Sequence, residues 1–239
     1  MKIIEPSILL VRPQLPENIG MTARAMHNCG LKKLIIVSPR ESWPNQKACD
    51  ASANAEIIIK NAKIFDSVRS ALSSFNYVIA TSVRKRFIQK PHYNNFSSLF
   101  SEVPTNQKLA IVFGPESSGL TNKDLMLCDC VFSIPLSKHN QSLNISHSVL
   151  LMAFKWYEYF KKNKNIKNNK NNLSTKEDFQ IFMDYLYNEL HNSGFLYPKE
   201  KSHSMFINIQ SMFLRAKLSK VEIQTLRGMF KKLINQKKN

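Results

Sequence analysis

Residues 112–125 read "VFGPESSGLTNKDL": an apolar run closes at Phe113, and glycines follow at Gly114 and Gly119. That spacing is also the one in a phosphate-binding loop. Such a loop needs Lys and then Ser or Thr after its second glycine, to reach phosphates and to hold magnesium. Leu120 and Thr121 stand there instead. The stretch reads as a strand, a turn and a helix start, with a turn built for something other than a triphosphate. Thr121, followed three residues on by Asp124, is a capping-box variant that opens the helix.

Outward from this stretch the same pattern repeats. Short β-branched runs at 7–11 ("SILLV"), 34–38 ("LIIVS"), 77–82 ("YVIATS"), 109–114 ("LAIVFG") and 130–135 ("CVFSIP") alternate with helical patterns. None alternates apolar with polar residues, as expected for strands covered on both faces. "NIGMTARAMHNCG" (18–30) puts Ile19, Ala23 and Met26 on one helical face, with Asn18 as N-cap and Gly30 as C-cap. "SLNISHSVLLMAFKWYEYF" (142–160) carries Val149, Leu150, Ala153, Phe154 and Tyr157 at helical spacing. The alternation predicts an α/β domain with a mainly parallel sheet.

Residues 161–172, "KKNKNIKNNKNN", are Lys or Asn except for Ile166. Burial there is too small to offset the entropy of ordering, so the segment reads as a solvated linker. It divides the chain into 1–160, the linker 161–172, and 173–239. Beyond it, "STKEDFQIFMDYLYNELHNSGF" (174–195) is a capped amphipathic helix ending at Gly194, and 203–233 reads as two helices broken near 216–219. Helices this short need each other or the first domain to bury their apolar faces.

Composition narrows the function. The 239 residues are 43% hydrophobic, and 34 basic against 17 acidic groups leave a net charge of +17. Residues 1–160 hold 18 basic and 11 acidic groups, whereas 161–239 hold 16 and 6. The shorter tail is the more basic, which favours a polyanion such as nucleic acid. An A/T-rich coding bias would give the same Lys and Asn excess and stays open as the bland reading. Cys29, Cys49, Cys128 and Cys130 form no C-x-x-C pair, and none of the six histidines falls in an H-E-x-x-H pattern, so no metal is expected. No apolar run reaches the roughly 18–20 residues of a membrane span, and "MKIIEPSILLVRP" lacks a signal-peptide layout; a cytoplasmic protein without membrane contact is expected.

Three places could carry chemistry. Gly114 and Gly119 sit at the carboxyl end of a strand, where parallel α/β sheets bind ligands. "IPLSKHNQSLNIS" (134–146) is a second strand-to-helix junction with Ser142 and Asn144 at its polar tip. In "ENIGMTARAM" (17–26), Gly20 lies inside a helix at a cost of about 1 kcal/mol relative to Ala, which suggests that something approaches the backbone. Arg24, four residues on, shares that face. Taken singly, each has a structural reading as good: a tight turn, an N-cap at Ser142 or Asn18, a solvated charge at Arg24.

Together they resemble the three motifs of the SPOUT RNA ribose methyltransferases: N-x-G-x-x-x-R at Asn18, Gly20 and Arg24, F-G-x-E-x-x-G-L from Phe113 to Leu120, and I-P-L…S-L-N from Ile134 to Asn144. Order and spacing match over most of residues 5–160. The tail, with "GFLYP" and "MFLRAKLSKVEIQTLRGMF", resembles the helical extension of the bacterial tRNA (cytidine/uridine-2′-O-)-methyltransferases of anticodon-loop position 32. The resemblance implies a SPOUT fold tied in a C-terminal trefoil knot, which composition and periodicity do not show and which general rules on threading disfavour. It also implies a homodimer, S-adenosylmethionine as methyl donor with S-adenosylhomocysteine as product, and tRNA as substrate.

By motif matching, the cofactor residues would be Thr81, Ser82, Val83, Gly114, Ile134, Leu136, Ser142, Leu143 and Asn144. The catalytic set would be Arg24, Asn18, Glu116, Ser142 and Asn144. A guanidinium stays protonated in proteins, with a pKa above about 12. Arg24 is therefore read as a phosphate clamp and alkoxide stabiliser oriented by Asn18, while Glu116 and Ser142 receive or relay the ribose proton. Arg12, Arg84, Lys85 and Arg86 would contact phosphates, or serve only as solvated charges. The alternatives are a 2′-O-methyltransferase for another tRNA or rRNA site, and a non-catalytic RNA-binding protein that kept the fold.

Overall fold

The computed structural model describes residues 4–82, 90–104, 106–137, 143–162 and 172–236. Its packing separates into two units, Met1–Asn169 and Lys170–Asn239.

The first unit holds β1 (Ser7–Val11), α1 (Pro16–Asn28), β2 (Leu34–Val37), α2 (Gln46–Ala51), α3 (Glu56–Lys60), β3 (Lys63–Phe65) and α4 (Val68–Leu72). β4 (Tyr77–Thr81), β5 (His92–Tyr93), α5 (Phe96–Glu102), β6 (Leu109–Phe113), α6 (Asn122–Met126), β7 (Cys130–Phe132) and α7 (Ile145–Lys162) follow. The strands form one sheet in the order β3-β2-β1-β6-β4-β7-β5, with every pairing parallel. The chain fills one edge with β1–β3 and then crosses over, so the late strands β6 and β7 are inserted between earlier ones. The carboxyl ends of β1, β6, β4 and β7 thus stand side by side at the point where strand order reverses, where ligands bind in such sheets.

The strands read from the sequence all form, and their continuous apolar runs are buried because helices cover both faces. β3 and β5 were not legible, being three and two residues long with no pattern to read. One core layer packs Leu9, Val37, Val78, Val112 and Leu125 together. Another brings Phe100 against Trp156 and Phe160 of α7, with ring centroids 5.4 and 5.9 Å apart.

Three local expectations are corrected. Asn18 does not cap α1: the helix begins at Pro16, whose ring pre-sets the helical φ and whose missing N–H costs nothing in the first turn. This leaves the buried Asn18 side chain free for a longer-range bond. On α7 the buried face runs through Ile145, Val149, Met152, Ala153 and Trp156, while Leu150, Phe154 and Tyr157 are 39%, 50% and 45% exposed. The helix is apolar over more of its circumference than one core requires. Gly20 is indeed approached at its backbone, but by α2: an added Cβ would lie 2.2 Å from the Ala48 carbonyl oxygen.

The second unit holds α8 (Lys176–Asn192), α9 (Lys199–Arg215) and α10 (Lys220–Gln236). Thr175 caps α8 by accepting from the Asp178 amide, and Gly194 leaves the helix with φ +76°. Phe179, Phe182, Met183, Leu186, Leu214 and Ile223 form its core. Residues 163–171, most of the expected linker, lie outside the described residues. Among the described residues no helix is long and apolar enough to cross a membrane.

Candidate active site

Three segments far apart in sequence are tied together by side-chain amides. Asn18 Nδ2 donates to Glu116 Oε1 at 2.7 Å, and Asn144 Nδ2 donates to Asn18 Oδ1 at 2.9 Å. The second carboxylate oxygen, Oε2, accepts from the Gln14 amide at 3.2 Å. Gln14 Nε2 reaches Ser117 Oγ at 2.9 Å. Asn144 Oδ1 accepts from the Ser146 amide and hydroxyl at 2.8 and 2.7 Å, which makes Asn144 the cap of α7's first turn. The turns after β1, β6 and β7 are thereby locked to one another through Glu116.

The glycine turn is closed by its own backbone. Gly119 donates to the Pro115 carbonyl at 2.8 Å with φ +67°, a conformation that disfavours side chains. A Cβ on Gly114 would lie 2.3 Å from the Leu120 nitrogen. The two glycines therefore allow the loop to fold back on itself.

Behind the turn lies a cavity of about 1010 Å³. Its apolar walls include Phe113, Phe132, Ile134, Leu136 and Leu143, and Thr81, Ser82, Gly114 and Glu116 also line it. Thr81 Oγ1 donates to the Val112 carbonyl at 2.9 Å, so its hydroxyl locks β4 to β6. Ser133 Oγ donates to the Ser82 carbonyl and lies 3.0 Å from His92 Nε2.

Arg12 leaves β1 with φ +50° and bonds Asp124 through both terminal guanidinium nitrogens, Nη2 at 2.5 Å and Nη1 at 3.4 Å. Thr121 donates to the same carboxylate through its amide and hydroxyl, at 2.8 and 2.7 Å. Burial alone would raise the Asp124 pKa, but the bonds from Arg12 and Thr121 outweigh it and hold the carboxyl below its ordinary value.

Of the residues singled out by sequence, Asn18, Glu116 and Asn144 are brought into one network. Thr81, Ser82, Gly114, Ile134, Leu136 and Leu143 line one cavity. Arg24 is not brought to it within this chain: it is exposed on α1, with no polar partner among the described residues. Val83, Arg84, Lys85, Arg86 and Ser142 lie outside the described residues. Sequence reasoning passed over Gln14, His92 and Asp124. Asp124 had a signal in its capping box; Gln14 and His92 had none.

A seven-stranded parallel sheet with motif turns meeting at its carboxyl edge is the architecture shared with SPOUT methyltransferases. The chain belongs to the SpoU rRNA Methylase family, whose profile matches residues 5–154. Residues 177–239 match the tRNA methyltransferase TrmJ C-terminal domain. The tRNA (cytidine/uridine/adenosine-2′-O-)-methyltransferase TrmJ of Pseudomonas aeruginosa is 30% identical over 235 residues, covering 93% of this chain and 91% of the relative. The tRNA (cytidine-2′-O-)-methyltransferase TrmJ of Methanocaldococcus jannaschii is 32% identical, over 96% of this chain and 100% of its own length. The crystal structure of TrmJ from Z. mobilis superposes with a TM-score of 0.85 at 31% identity, covering 96% and 99% of the two chains.

Proposed function

We propose that the protein methylates the ribose 2′-hydroxyl of cytidine or uridine 32 in the tRNA anticodon loop, with S-adenosylmethionine as donor. The observation that carries this reading is the Asn18–Glu116–Asn144 network, whose Glu116 lines an apolar-walled cavity. The TrmJ relatives, which cover 93% and 96% of the chain, support tRNA as the substrate.

The cavity suits the donor: apolar walls that could take a flat base, hydroxyls beside them, and one carboxylate that would complement a cationic sulfur. Thr81, Ser82, Gly114, Ile134, Leu136, Leu143 and Asn144 would hold it, joined by Val83 and Ser142. When bound, S-adenosylmethionine supplies a sulfonium-activated methyl group and leaves as S-adenosylhomocysteine. The chain's own task is alignment and removal of one proton. Glu116 is held in place by Asn18 and Gln14, each using one lone pair of one oxygen. The lone pairs left over make it the acceptor for the hydroxyl proton, with Ser142 as relay. Arg24 clamps the neighbouring phosphate and stabilises the developing alkoxide.

Arg24 points this chemistry towards a homodimer. Leu150, Phe154 and Tyr157 form an exposed apolar stripe on α7 that a second copy would cover. Arg24 would then serve the partner's cavity. The knotted threading implied by the resemblance, the division at 161–172, a cytoplasmic location, and phosphate contacts from Arg12, Arg84, Lys85 and Arg86 belong to the same proposal.

The deciding experiment maps ribose methylation on tRNA from cells with and without the gene. A methyl group lost at another tRNA or rRNA position would move the substrate assignment. Calorimetry showing no S-adenosylmethionine binding would favour a non-catalytic RNA binder. Near-full turnover of Arg24→Lys at saturating RNA would remove the clamp role.

A further inference from the structure

The groove between α8 and α10 shares no lining residue with the cavity at the sheet edge. Gln224, Arg227, Gly228 and Lys231 fall on one face of α10, and Tyr185 and Glu189 of α8 line the same cavity of about 500 Å³. The Arg227 guanidinium lies 5.4 Å from the centroid of the Tyr185 ring, a cation–π contact at the groove.

Gly228 is the unexplained feature. Glycine is the poorest helix former after proline, and this one sits inside α10. Gly20 and Gly114 are required by backbone that presses on them, whereas a Cβ at Gly228 would meet nothing within 4 Å. Gly30, Gly119 and Gly194 are required by positive φ, whereas Gly228 has none. Nothing within the described chain accounts for it. A bare strip of backbone between an aromatic ring and two cations suits a flat ligand with an anionic backbone.

We propose that this groove binds one unpaired nucleotide of an RNA strand, with its base laid on the Gly228 strip beside Tyr185 and its phosphate held by Arg227 and Lys231. Glu189 accepts from an exocyclic amine or ribose hydroxyl of that nucleotide. The inference rests on the reading that RNA is the substrate. The excess of 16 basic over 6 acidic groups in residues 161–239 supplies the long-range attraction.

The test uses the full chain with two probes, a short RNA hairpin with an unpaired loop and the same stem as a blunt duplex. Gly228→Leu fills the groove while improving helix propensity, so it should raise Tm yet weaken hairpin binding about tenfold or more. Duplex binding and calorimetric binding of S-adenosylmethionine should not change. Converting Arg227 and Lys231 together to Gln should flatten the salt dependence of hairpin binding by about 0.7 log units per log salt, for the one phosphate they hold. Hairpin affinity unchanged in Gly228→Leu, as for a groove that docks a protein, overturns the proposal. Equal losses on hairpin and duplex overturn it as well. Should Gly228→Leu fail to fold, the charge variant decides: an unaltered salt slope overturns the groove. The two readings fail separately. Intact methylation with an unaltered RNA KM in Gly228→Leu sinks the groove and spares the enzyme. A wild-type protein that methylates nothing, but loses hairpin binding on Gly228→Leu, does the reverse.

Discussion

Both units have apolar cores, but they differ in the range of their polar side-chain contacts. In the sheet unit, polar side chains join segments 98 to 126 residues apart: Asn18 to Glu116, Gln14 to Glu116 and Ser117, and Asn144 to Asn18. In the helical unit most side-chain hydrogen bonds are local, linking Thr175 with Asp178, Gln180 with Asp184 and Ser219 with Glu222, three or four residues apart. Its long-range contacts are chiefly apolar, such as the edge-on rings of Phe182 and Phe213 at 5.3 Å. Directional bonds fix a geometry to a few tenths of an ångström, which group transfer requires. Apolar packing fixes a scaffold and leaves surface charge to do the binding.

Breaking each unit by its own logic should separate the two roles. The largest effect is expected from Phe182→Ala, which empties a fully buried position in the helical core. It should cost about 3–5 kcal/mol and unfold that unit first. RNA binding should collapse while calorimetry still reports S-adenosylmethionine binding. Parallel loss of both would erase the division of labour, as would deletion of residues 161–239 weakening cofactor and RNA equally.

Asn18→Ala should come next, with the opposite signature. It leaves the Asn144 amide and Glu116 without their partner, which should cost about 1–3 kcal/mol of stability. Misplacing the acceptor should lower single-turnover methylation about a hundredfold. RNA affinity should hold in a binding titration.

Gly114→Ala sharpens the comparison at the level of backbone. The added methyl meets the Leu120 nitrogen, a neighbour that cannot swing away, so roughly 2 kcal/mol of strain is expected. Thermal melting of the sheet unit and weaker cofactor binding should appear together.

The smallest effect concerns pH. The folded-state pKa of Asp124 is depressed, so its bonds stabilise the fold above the unfolded value of about 3.9 and are lost as pH falls through the folded value. Arg12 is 40% exposed, so screening limits the contribution to the order of 1 kcal/mol. Wild type should exceed Asp124→Asn at neutral pH in denaturant melts, and the gap should close below about pH 4. A gap that persisted in acid would show that packing, not charge, gives Asp124 its value.

The five apolar runs, the Thr121–Asp124 capping box and the helix breaks at Gly30 and Gly194 were all legible in the chain, because each depends on neighbours within a few residues. Motif spacing also singles out Asn18, Glu116 and Asn144. The two-residue β5 was not legible, since it exists only because β7 offers it a ladder. The exposure of Leu150, Phe154 and Tyr157 escaped the same periodicity that located their helix, because spacing identifies faces and not which of them has a neighbour.

By itself the sequence determined the class of fold, the division of charge between body and tail, and the residues singled out as candidates for the site. Tertiary structure alone decided how they are used. It released Asn18 from capping duty and bound it to Glu116, it spent Gly20 on α2, and it engaged Arg12 with Asp124. The physical reason is range. Propensity and capping act over three or four residues, whereas a hydrogen bond between residues a hundred positions apart exists only after the sheet has brought its strand ends together.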